Sequence, residues 1–360
     1  GLKILVTGIC GFAGSVLVRS LLEQRSGLRI TGLDNLTRKG SQTNLDPLRA
    51  LGCDIHIGDV RDRPLLETLP PHDWILDCAA NPSVLAGVDG SSSRDLVDQN
   101  LYGTVNLLEL CKSWKAGFTL LSTSRVYSIP ALAGLPMEKT STRFQLPPGS
   151  SGLGWSEHGI GEEFSTAPPI SLYGSTKLCS EWLALEYGDA YGFPVWINRC
   201  GVLAGAGQFG KADHGIFSYW IHSWNAKRPL KYIGFGGSGL QVRDCLHPRD
   251  IAPLLLRQID AVPEGKPKIL NLAGGIGNSM SLRELSLWCA ENLFPASRLN
   301  DPDHISSSQS SRPFDIPWAV LDSSLAERAW KWKPATPLAE ILREIKTHAE
   351  QNPGWLDLVA

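Results

Sequence analysis

The sequence predicts an α/β fold: a Rossmann-like doubly wound parallel sheet with a smaller C-terminal substrate-binding domain. Short apolar segments with strand character alternate with longer helical segments through the first half of the chain, and a glycine turn joins the first strand to the first helix. After Gly201 this alternation loses its regularity. We therefore assign residues 1–198 and 235–268 to the sheet domain and residues 199–234 and 269–360 to the substrate domain.

The composition is that of an ordinary globular chain of 360 residues, 42% hydrophobic and 19% charged. Its formal net charge of -2 gives no reason to expect nucleic acid or an anionic membrane surface as a partner. The longest apolar runs are far shorter than a bilayer span, and no basic leader with an apolar core precedes the first strand, so we expect no signal peptide. The eight cysteines are scattered without CxxC pairs, which favours reduced thiols in a cytoplasmic protein and no metal site.

The glycine turn follows the first strand, residues 3–7, and opens the first helix. Strand, glycine turn and helix together present free backbone N–H groups to a pyrophosphate. In the GxxGxxG spacing, Gly8 permits a tight turn, Gly11 a close approach of phosphate, and Gly14 close packing of the helix on the strand. A plain glycine turn between core elements is the alternative interpretation. The turn residues that we assign to a bound cofactor are Gly8, Gly11, Phe12, Ala13 and Gly14.

An acidic residue ends the second strand, residues 28–33, about 20 residues beyond the glycine turn. This residue, Asp34, can hydrogen-bond the 2′-hydroxyl of an adenosine ribose and would repel a 2′-phosphate. NAD is therefore favoured over NADP as the cofactor. Arg38 and Lys39 follow closely and weaken that preference.

The next strands bring further candidates to the same edge of the sheet. Residues 53–57 lead to Asp59, which could accept a hydrogen bond from the adenine amino group; an aspartate that serves only a local turn is an equal alternative. Residues 74–80 run into small side chains that would let the backbone pass close to a cofactor. The fifth strand, residues 118–122, ends at Thr123. The remaining positions that we assign to the cofactor are Asn35, Arg38, Val60, Ala79, Ala80 and Asn100.

A tyrosine and a lysine four residues apart, Tyr173 and Lys177, open a predicted helix. Residues i and i+4 share one helix face, so the ammonium can sit beside the phenol and lower its pKa from about 10. Tyr173 then becomes a general base, and Thr123 can hold the oxygen of the reacting alcohol. Its neighbours Ser122 and Ser124 could share this role. The alternatives are an ordinary amphipathic helix and a strand-end hydroxyl bonded to local backbone.

The segment between Ala131 and Pro169 is rich in proline, glycine and serine and shows no clear period. Loops of this length are uncommon inside compact domains and are often functional. We expect this segment to border the active site, partly as a lid.

Several motifs together resemble the extended short-chain dehydrogenases/reductases that act on nucleotide sugars. They are Thr7-Gly8-x-x-Gly11-Phe12-x-Gly14, Asn100-x-x-Gly103-Thr104-x-Asn106-Leu107-Leu108-Glu109, Thr123, and Tyr173-x-x-x-Lys177. Within that family, longer segments are similar to the CDP-paratose 2-epimerase (CDP-tyvelose epimerase) group. These segments are residues 34–40, 140–144, 241–247 and 271–282, and Cys10 in the glycine turn also fits the group.

The resemblance implies that the sheet domain holds NAD tightly, and that a sugar carbon loses hydride and regains it on the opposite face. The stereocentre then inverts without net redox change, and in the group the inverted carbon is C2 of a CDP-linked hexose. Tyr173 would take the hydroxyl proton and return it, with Lys177 beside the nicotinamide ribose. At the nucleotide end, the likeness assigns Arg243 and Arg312 to the diphosphate and Asp315 to the nucleotide ribose. Each arginine taken alone is more often part of a structural ion pair.

The resemblance also implies a homodimer, because relatives commonly pair through the helices that here contain residues 106–112 and 178–187.

The resemblance weakens at Val202, where many relatives carry a substrate-binding asparagine. Sugar-nucleotide 4,6-dehydratases place an Asp-Glu pair directly after the threonine, whereas Ser124 and Arg125 follow it here, so dehydration is disfavoured.

Four alternatives remain open from the sequence. They are a 4-epimerase, a reductase, a decarboxylase that binds a carboxylate through Arg125 or Arg143, and a non-catalytic NAD-binding regulator.

Overall fold

The structure, a computed structural model, describes residues 1–80, 82–293 and 299–360 and confirms the predicted α/β class. In chain order the strands are β1 (Lys3–Thr7), β2 (Arg29–Asp34), β3 (Asp54–Ile57), β4 (Trp74–Asp77), β5 (Gly117–Thr123), β6 (Glu138–Lys139), β7 (Phe144–Gln145), β8 (Ser151–Gly152), β9 (Trp155–Ser156), β10 (Gly159–Ile160), β11 (Val195–Cys200), β12 (Leu230–Ile233), β13 (Val242–Asp244), β14 (Ile269–Leu272), β15 (Ser279–Ser281), β16 (Ile305–Ser308) and β17 (Trp318–Ala319). The α-helices are α1 (Phe12–Gln24), α2 (Leu45–Ala50), α3 (Arg63–Glu67), α4 (Ser93–Val97), α5 (Gly103–Trp114), α6 (Ile129–Ala133), α7 (Ser171–Tyr191), α8 (Ile216–Asn225), α9 (Ala252–Asp260), α10 (Leu282–Asn292), α11 (Ser324–Trp330), α12 (Leu338–Gln351) and α13 (Trp355–Leu358).

Seven parallel strands form the central sheet, in the order β14-β11-β5-β4-β1-β2-β3. The order reverses at β1, which is the doubly wound arrangement with a ligand crevice at the carboxyl ends of the strands. Alternate side chains of β1 face opposite sides: Ile4 and Val6 pack in the core that includes α1 and α9, whereas Leu5 packs with α5 and α7. Helices therefore cover both faces of the sheet.

The strands and the long helix lie close to their predicted positions. The second strand is β2, which includes Asp34 as its last residue, and the fifth is β5, which ends at Thr123. Helix α7 ends at Gly192, whose left-handed backbone (φ 73) allows the chain to turn out of the helix.

The predicted domain boundaries need two corrections. Strand β14 was assigned to the substrate domain, but it pairs with β11 at the edge of the central sheet, and Leu270 and Leu272 are fully buried in the same core as α9. Strand β13 was assigned to the sheet domain, but it pairs with β15 and β17 in a separate small sheet. Both errors arise because short strands give no local signal for the sheet they join.

The substrate side of the molecule has a core of its own. Helices α8 and α12 pack together there, with Trp220 of α8 and Ile341 of α12 almost fully buried. Strands β12 and β16 pair in parallel beside them. This part of the chain faces the carboxyl ends of the central strands.

The proposed lid over residues 131–169 is wrong. This segment folds into the β6-β7 hairpin and a three-stranded sheet of β8, β9 and β10. Its apolar side chains, including Phe144 and Phe164, are buried in a core shared with Trp318. The segment contributes no residue to the large cavity described below, because it covers the small sheet instead.

Within the described ranges, no helix combines the length and apolar character needed to cross a bilayer. The residues described also include no group of three or more His, Cys, Asp and Glu side chains arranged to hold a metal ion. All eight cysteines are free thiols, and six of them are buried.

Candidate active site

A single cavity of about 840 Å³ lies at the carboxyl ends of the central strands and extends to the substrate side. Residues that end or directly follow six parallel strands contribute to its wall, which is where doubly wound folds bind their ligands. These residues are Gly8, Asp34, Gly58, Cys78, Thr123 and Cys200.

The glycine turn lines the cavity. Gly8 has a left-handed backbone (φ 64), and a Cβ there would lie 2.7 Å from the Cys78 carbonyl oxygen, so no other residue fits. Gly11 caps helix α1 with no side-chain hydrogen bond and no acidic residue in the first turn. The first N–H groups of a helix lack partners within it, so those of Phe12 and Ala13, which line the cavity, are available to an anion.

Asp34 sits beside this turn at the cavity wall. Its two carboxylate oxygens accept hydrogen bonds from the backbone N–H groups of Cys10 and Leu36, each at 2.9 Å. Burial raises the pKa of this carboxyl group, and the two backbone hydrogen bonds oppose that effect. Each oxygen retains a further lone pair, so Asp34 can also accept from a ribose hydroxyl.

Two residues assigned to the cofactor do not line the cavity. Asp59 is held by Arg61 through Nε (2.9 Å) and Nη2 (2.7 Å), which lowers its pKa to about 2. Asn100 is 1% exposed and lies in a π-helical turn, Asp98–Tyr102, where its side chain donates to Thr176 Oγ1 at 3.3 Å. Asn100 therefore joins this turn to α7. Asn35, Arg38, Val60, Ala79 and Ala80 all line the cavity as assigned.

Thr123, Tyr173 and Lys177 all line the cavity. Tyr173 is 8% exposed, and its phenol lies within hydrogen-bonding reach of the Thr123 side chain at the end of β5. Thr123 Oγ1 also accepts from the backbone N–H of Arg125 at 3.1 Å. An alcohol placed beside both hydroxyl groups would have its oxygen oriented by one and its proton within reach of the other.

The start of α7 explains how Tyr173 reaches Thr123. Ser171 begins the helix with a left-handed backbone (φ 73), and its Oγ accepts from the Gly174 N–H at 3.0 Å. A Cβ on Gly174 would lie 2.4 Å from the Arg125 carbonyl oxygen, so only glycine permits this approach of α7 to the chain after β5. The sequence reasoning passed over Gly174, although its position inside the motif was a usable signal.

The structure does not show the lowered Tyr173 pKa that the Tyr173-x-x-x-Lys177 spacing predicts. Burial is the largest influence and raises the pKa of Tyr173 above its ordinary value. The opposing influences are the Thr123 hydrogen bond and the positive charges of Arg125 and Arg38. These two cations lie outside α7, Arg125 directly after β5 and Arg38 in the loop after β2.

Lys177 is 3% exposed, lines the cavity, and has no hydrogen bond or ion pair with any residue that the structure describes. A buried ammonium without a partner is costly, so this group fits a ligand that supplies oxygen atoms. With the free amides of α1 and the carboxylate of Asp34, it fits the ribose and pyrophosphate groups of NAD. When bound, that cofactor supplies a hydride acceptor and a positively charged ring near the phenol.

Four charged residues lie in the opposite wall. Arg243, Arg312 and Asp315 were predicted to bind the nucleotide, and Arg125 is the fourth. Arg243 Nη2 lies 3.3 Å from Asp315 Oδ1, Arg312 Nη1 donates to the Ala212 carbonyl at 2.7 Å, and all three charged residues line the cavity. Arg125 Nη1 donates to the Phe314 carbonyl at 2.8 Å, while burial and the nearby Arg243 lower its pKa to about 10. Each guanidinium retains N–H groups for an anion.

Arg143 is excluded as a carboxylate ligand. It is paired with Glu284, its Nη2 lying 2.8 Å from Oε1, and it also donates to Ser279. It does not line the cavity. This leaves Arg125 as the remaining candidate for that role.

A polar group that sequence reasoning missed completes the wall. Asp213 accepts from Ser83 Oγ at 2.6 Å, and its other oxygen lies 3.0 Å from His214 Nδ1. Burial raises the pKa of Asp213, but His214 and Ser83 outweigh it and hold that pKa well below the ordinary value. No local pattern marks Asp213 and His214, because they lie in the irregular region after Gly201.

Comparison with known proteins agrees with this geometry. The NAD dependent epimerase/dehydratase family matches residues 4–273. CDP-paratose 2-epimerase of Salmonella typhi is 28% identical over 299 residues, covering 79% of this chain and 82% of that protein. A probable dTDP-glucose 4,6-dehydratase of Sinorhizobium fredii is 27% identical over 372 residues, covering 98% and 94%. The structure of Bacillus cereus UDP-glucuronic acid 4-epimerase in complex with UDP-glucuronic acid and NAD superposes with a TM-score of 0.75 at 23% identity, covering 97% and 99% of the two chains.

Proposed function

Because this chain belongs to the NAD dependent epimerase/dehydratase family of enzymes and uses NAD, we propose that it is a nucleotide-sugar epimerase that inverts C2 of a CDP-linked hexose. One observation carries the reaction class. Tyr173 and Thr123 line the cavity within hydrogen-bonding reach of each other, and Ser124 and Arg125 stand where elimination of water would need an acid and a base.

Thr123 and Tyr173 have different roles in the transfer of the hydroxyl proton. Thr123 holds the oxygen of the sugar hydroxyl, and the Tyr173 phenolate accepts its proton as hydride leaves the carbon. Arg125 and Arg38 stabilise that phenolate. NAD supplies the acceptor and donor of hydride. Tyr173 returns the proton once hydride has been restored to the other face of the ketone, so the reaction has no net redox change.

The nucleotide end of the substrate is held by the opposite wall. Arg243 and Arg312 present guanidinium groups whose planar fork suits diphosphate oxygens, and Asp315 can accept from a ribose hydroxyl. Because Arg243 is already paired with Asp315 at 3.3 Å, this side of the site is ordered before a ligand enters.

The CDP-hexose assignment is supported by likeness to the Salmonella typhi CDP-paratose 2-epimerase and by the segments 34–40, 140–144, 241–247 and 271–282. Val202 at the position of a common asparagine is the main departure. A 4-epimerase remains the second candidate, and the B. cereus UDP-glucuronic acid 4-epimerase supports it at the level of the fold.

Dehydration is disfavoured by the acids present in the cavity. Among the described residues, the carboxylates that line it are Asp34, Asp213 and Asp315, and each is already paired with a backbone or side-chain partner. A decarboxylase would depend on Arg125 alone for a substrate carboxylate. A non-catalytic regulator would not need a base oriented by a hydroxyl and two cations.

The test is incubation of the purified protein with CDP-paratose or CDP-glucose in deuterated water, without added nicotinamide cofactor. We expect inversion at C2 with no solvent deuterium at that carbon, because hydride is removed and returned within the site. Tyr173→Phe should lower the turnover rate by a factor of about 10² or more, while NAD binding persists. Deuterium at C2, or a stoichiometric need for NADH, would contradict the mechanism; inversion of a UDP-sugar only would replace the CDP assignment.

We also infer a cytoplasmic homodimer. Trp182 on α7 is 64% exposed, Tyr102 before α5 is 56% exposed, and Cys179 lies beside Trp182 on the open face of α7. Such a face is typical of a helix that pairs with another copy. Sedimentation should give a dimer at micromolar concentration, and Trp182→Glu should dissociate it; a wild-type monomer would refute the inference.

A further inference from the structure

One cationic side chain at the cofactor end of the cavity, that of Arg38, forms no hydrogen bond or ion pair with the described residues. The Arg38 guanidinium lines the cavity, and no residue in the described ranges forms a hydrogen bond or ion pair with its side chain. The guanidinium carbon of Arg38 lies over the ring of Phe209, 5.2 Å from the ring centre. A guanidinium is planar and can grip a phosphate with two hydrogen bonds, and packing over an aromatic ring restricts the direction in which that plane points.

Helix α13 and the residue after it pack against Phe209. It is fully buried in a small cluster that contains only Trp355 and Val359 besides itself among the described residues, separate from the larger cores. The Trp355 indole N–H donates to the Gln208 carbonyl at 2.8 Å, and its ring lies 6.3 Å from that of Phe209. Helix α13 therefore sets both the backbone and the ring at this point.

The loop that carries Arg38 rests on the same cluster. Gly40 has a left-handed backbone (φ 103), and a Cβ there would lie 2.8 Å from Val359 and 2.9 Å from Phe209. The loop after β2 and the chain around Phe209 thus meet on α13, although the three segments are far apart in sequence. Moving either aromatic ring would change where Arg38 points.

The chain after Phe209 continues across the cavity. We call residues 208–214 the strap. The Ala212 carbonyl accepts from Arg312, and Asp213 accepts from Ser83 and attracts Arg38. The strap is therefore held at one end by α13 and at the other by the two sides of the cavity.

We propose that Phe209 and Trp355 are positioning residues for cofactor binding: α13 holds the strap through Trp355, and Phe209 orients Arg38 toward the NAD pyrophosphate. Loss of either ring should leave Arg38 mobile and weaken NAD binding. The expected loss is about 10- to 100-fold in Kd for Phe209→Leu, the worth of one charge-assisted hydrogen bond. Trp355→Phe keeps an aromatic ring and removes only the indole donor, so its effect should be smaller but in the same direction.

The test is calorimetric titration of NAD into protein stripped of cofactor, with no sugar nucleotide present, so the outcome is independent of the C2 assignment. Trp332→Phe is the matched control, since its indole also donates to a buried backbone carbonyl, that of Asp250, at 2.8 Å, but Trp332 lies in the core that includes α1 and α9 and not in the Phe209 cluster. We expect NAD affinity to fall in Trp355→Phe and to stay at the wild-type value in Trp332→Phe. Equal losses in both would show general destabilisation and overturn the proposal.

A double-variant cycle separates positioning from direct contact. If Phe209 acts through Arg38, then Phe209→Leu should add little to the loss caused by Arg38→Met. Losses that multiply in the double variant would mean that Phe209 acts on the cofactor independently, which overturns the proposed route. If Phe209→Leu does not fold, the comparison of Trp355→Phe with Arg38→Met and with their combination decides the same question.

Discussion

Replacing Glu181 by glutamine tests how α7 is held against the sheet. Glu181 and Arg199 are 1% and 5% exposed, and Arg199 Nε and Nη2 lie 2.7 to 3.1 Å from the carboxylate oxygens. The carboxylate also accepts from Ser122 Oγ, one residue before Thr123 on β5. Tyr173 lies about two turns earlier on α7, so this network fixes the phenol relative to Thr123.

Removing one member of a buried ion pair costs about 3–5 kcal/mol, because the remaining charge stays buried without compensation. Glutamine keeps the shape and one acceptor oxygen, so we place the loss for Glu181→Gln near the lower end, at about 3 kcal/mol. Adding Arg199→Gln should recover part of it, because the double variant has no uncompensated charge.

The free energy of unfolding in urea, followed by tryptophan fluorescence, measures this loss. Glu186→Gln is the matched control, since Glu186 lies on the exposed face of the same helix, and it should change stability by at most about 0.5 kcal/mol. A loss below about 1 kcal/mol for Glu181→Gln would refute the reasoning. Substrate turnover at saturation should fall as well, because the Tyr173 to Thr123 distance depends on the same helix.

Three further changes follow from the charges of the site. Arg125→Met should move the pH profile of kcat/KM to higher pH, because Arg125 lowers the Tyr173 pKa, whereas Arg25→Met, at a surface ion pair, should not move it. Lys177→Met should raise the Kd for NAD about tenfold or more, measured by titration, because its ammonium faces the cavity; an unchanged Kd would contradict this role. Burial raises the pKa of Asp244 to about 6, above its unfolded value, so the stability that this residue contributes is present below about pH 4 and lost as pH rises through about 6. Wild-type stability relative to Asp244→Asn should therefore fall across that window by up to about 3 kcal/mol in urea unfolding, and a constant difference would rule this out.

The parts of the site that sequence could predict are those that a local pattern fixes. The glycine turn and the Tyr173-x-x-x-Lys177 spacing lie within single strand-turn-helix or helix segments, and Asp34 follows from the end of the adjacent strand. Their positions at the cavity required only the parallel order of the strands.

The parts that could not be predicted depend on partners elsewhere. Asp59 looks like a cofactor ligand until Arg61 is seen to occupy both of its oxygens. Asn100 is buried in a π-helical turn, and no local sequence pattern predicts that turn. Phe209 and Trp355 meet only because the strap and α13 pack together, which no periodicity within either segment indicates.

The charge of the cavity could not be predicted from the overall composition either. Among residues 1–80, 82–293 and 299–360, six cationic side chains line it, Arg38, Arg125, Lys177, Lys231, Arg243 and Arg312, against the three carboxylates Asp34, Asp213 and Asp315. Burial lowers the pKa of Arg38, Arg125 and Arg243, which means that these positive charges are destabilised in the protein alone. A ligand with negative charge at the same places would relieve that cost, and NAD and a nucleotide sugar each bring a diphosphate. The chain's net charge of -2 therefore carries no information about its ligands, because the excess of positive charge is confined to one buried surface.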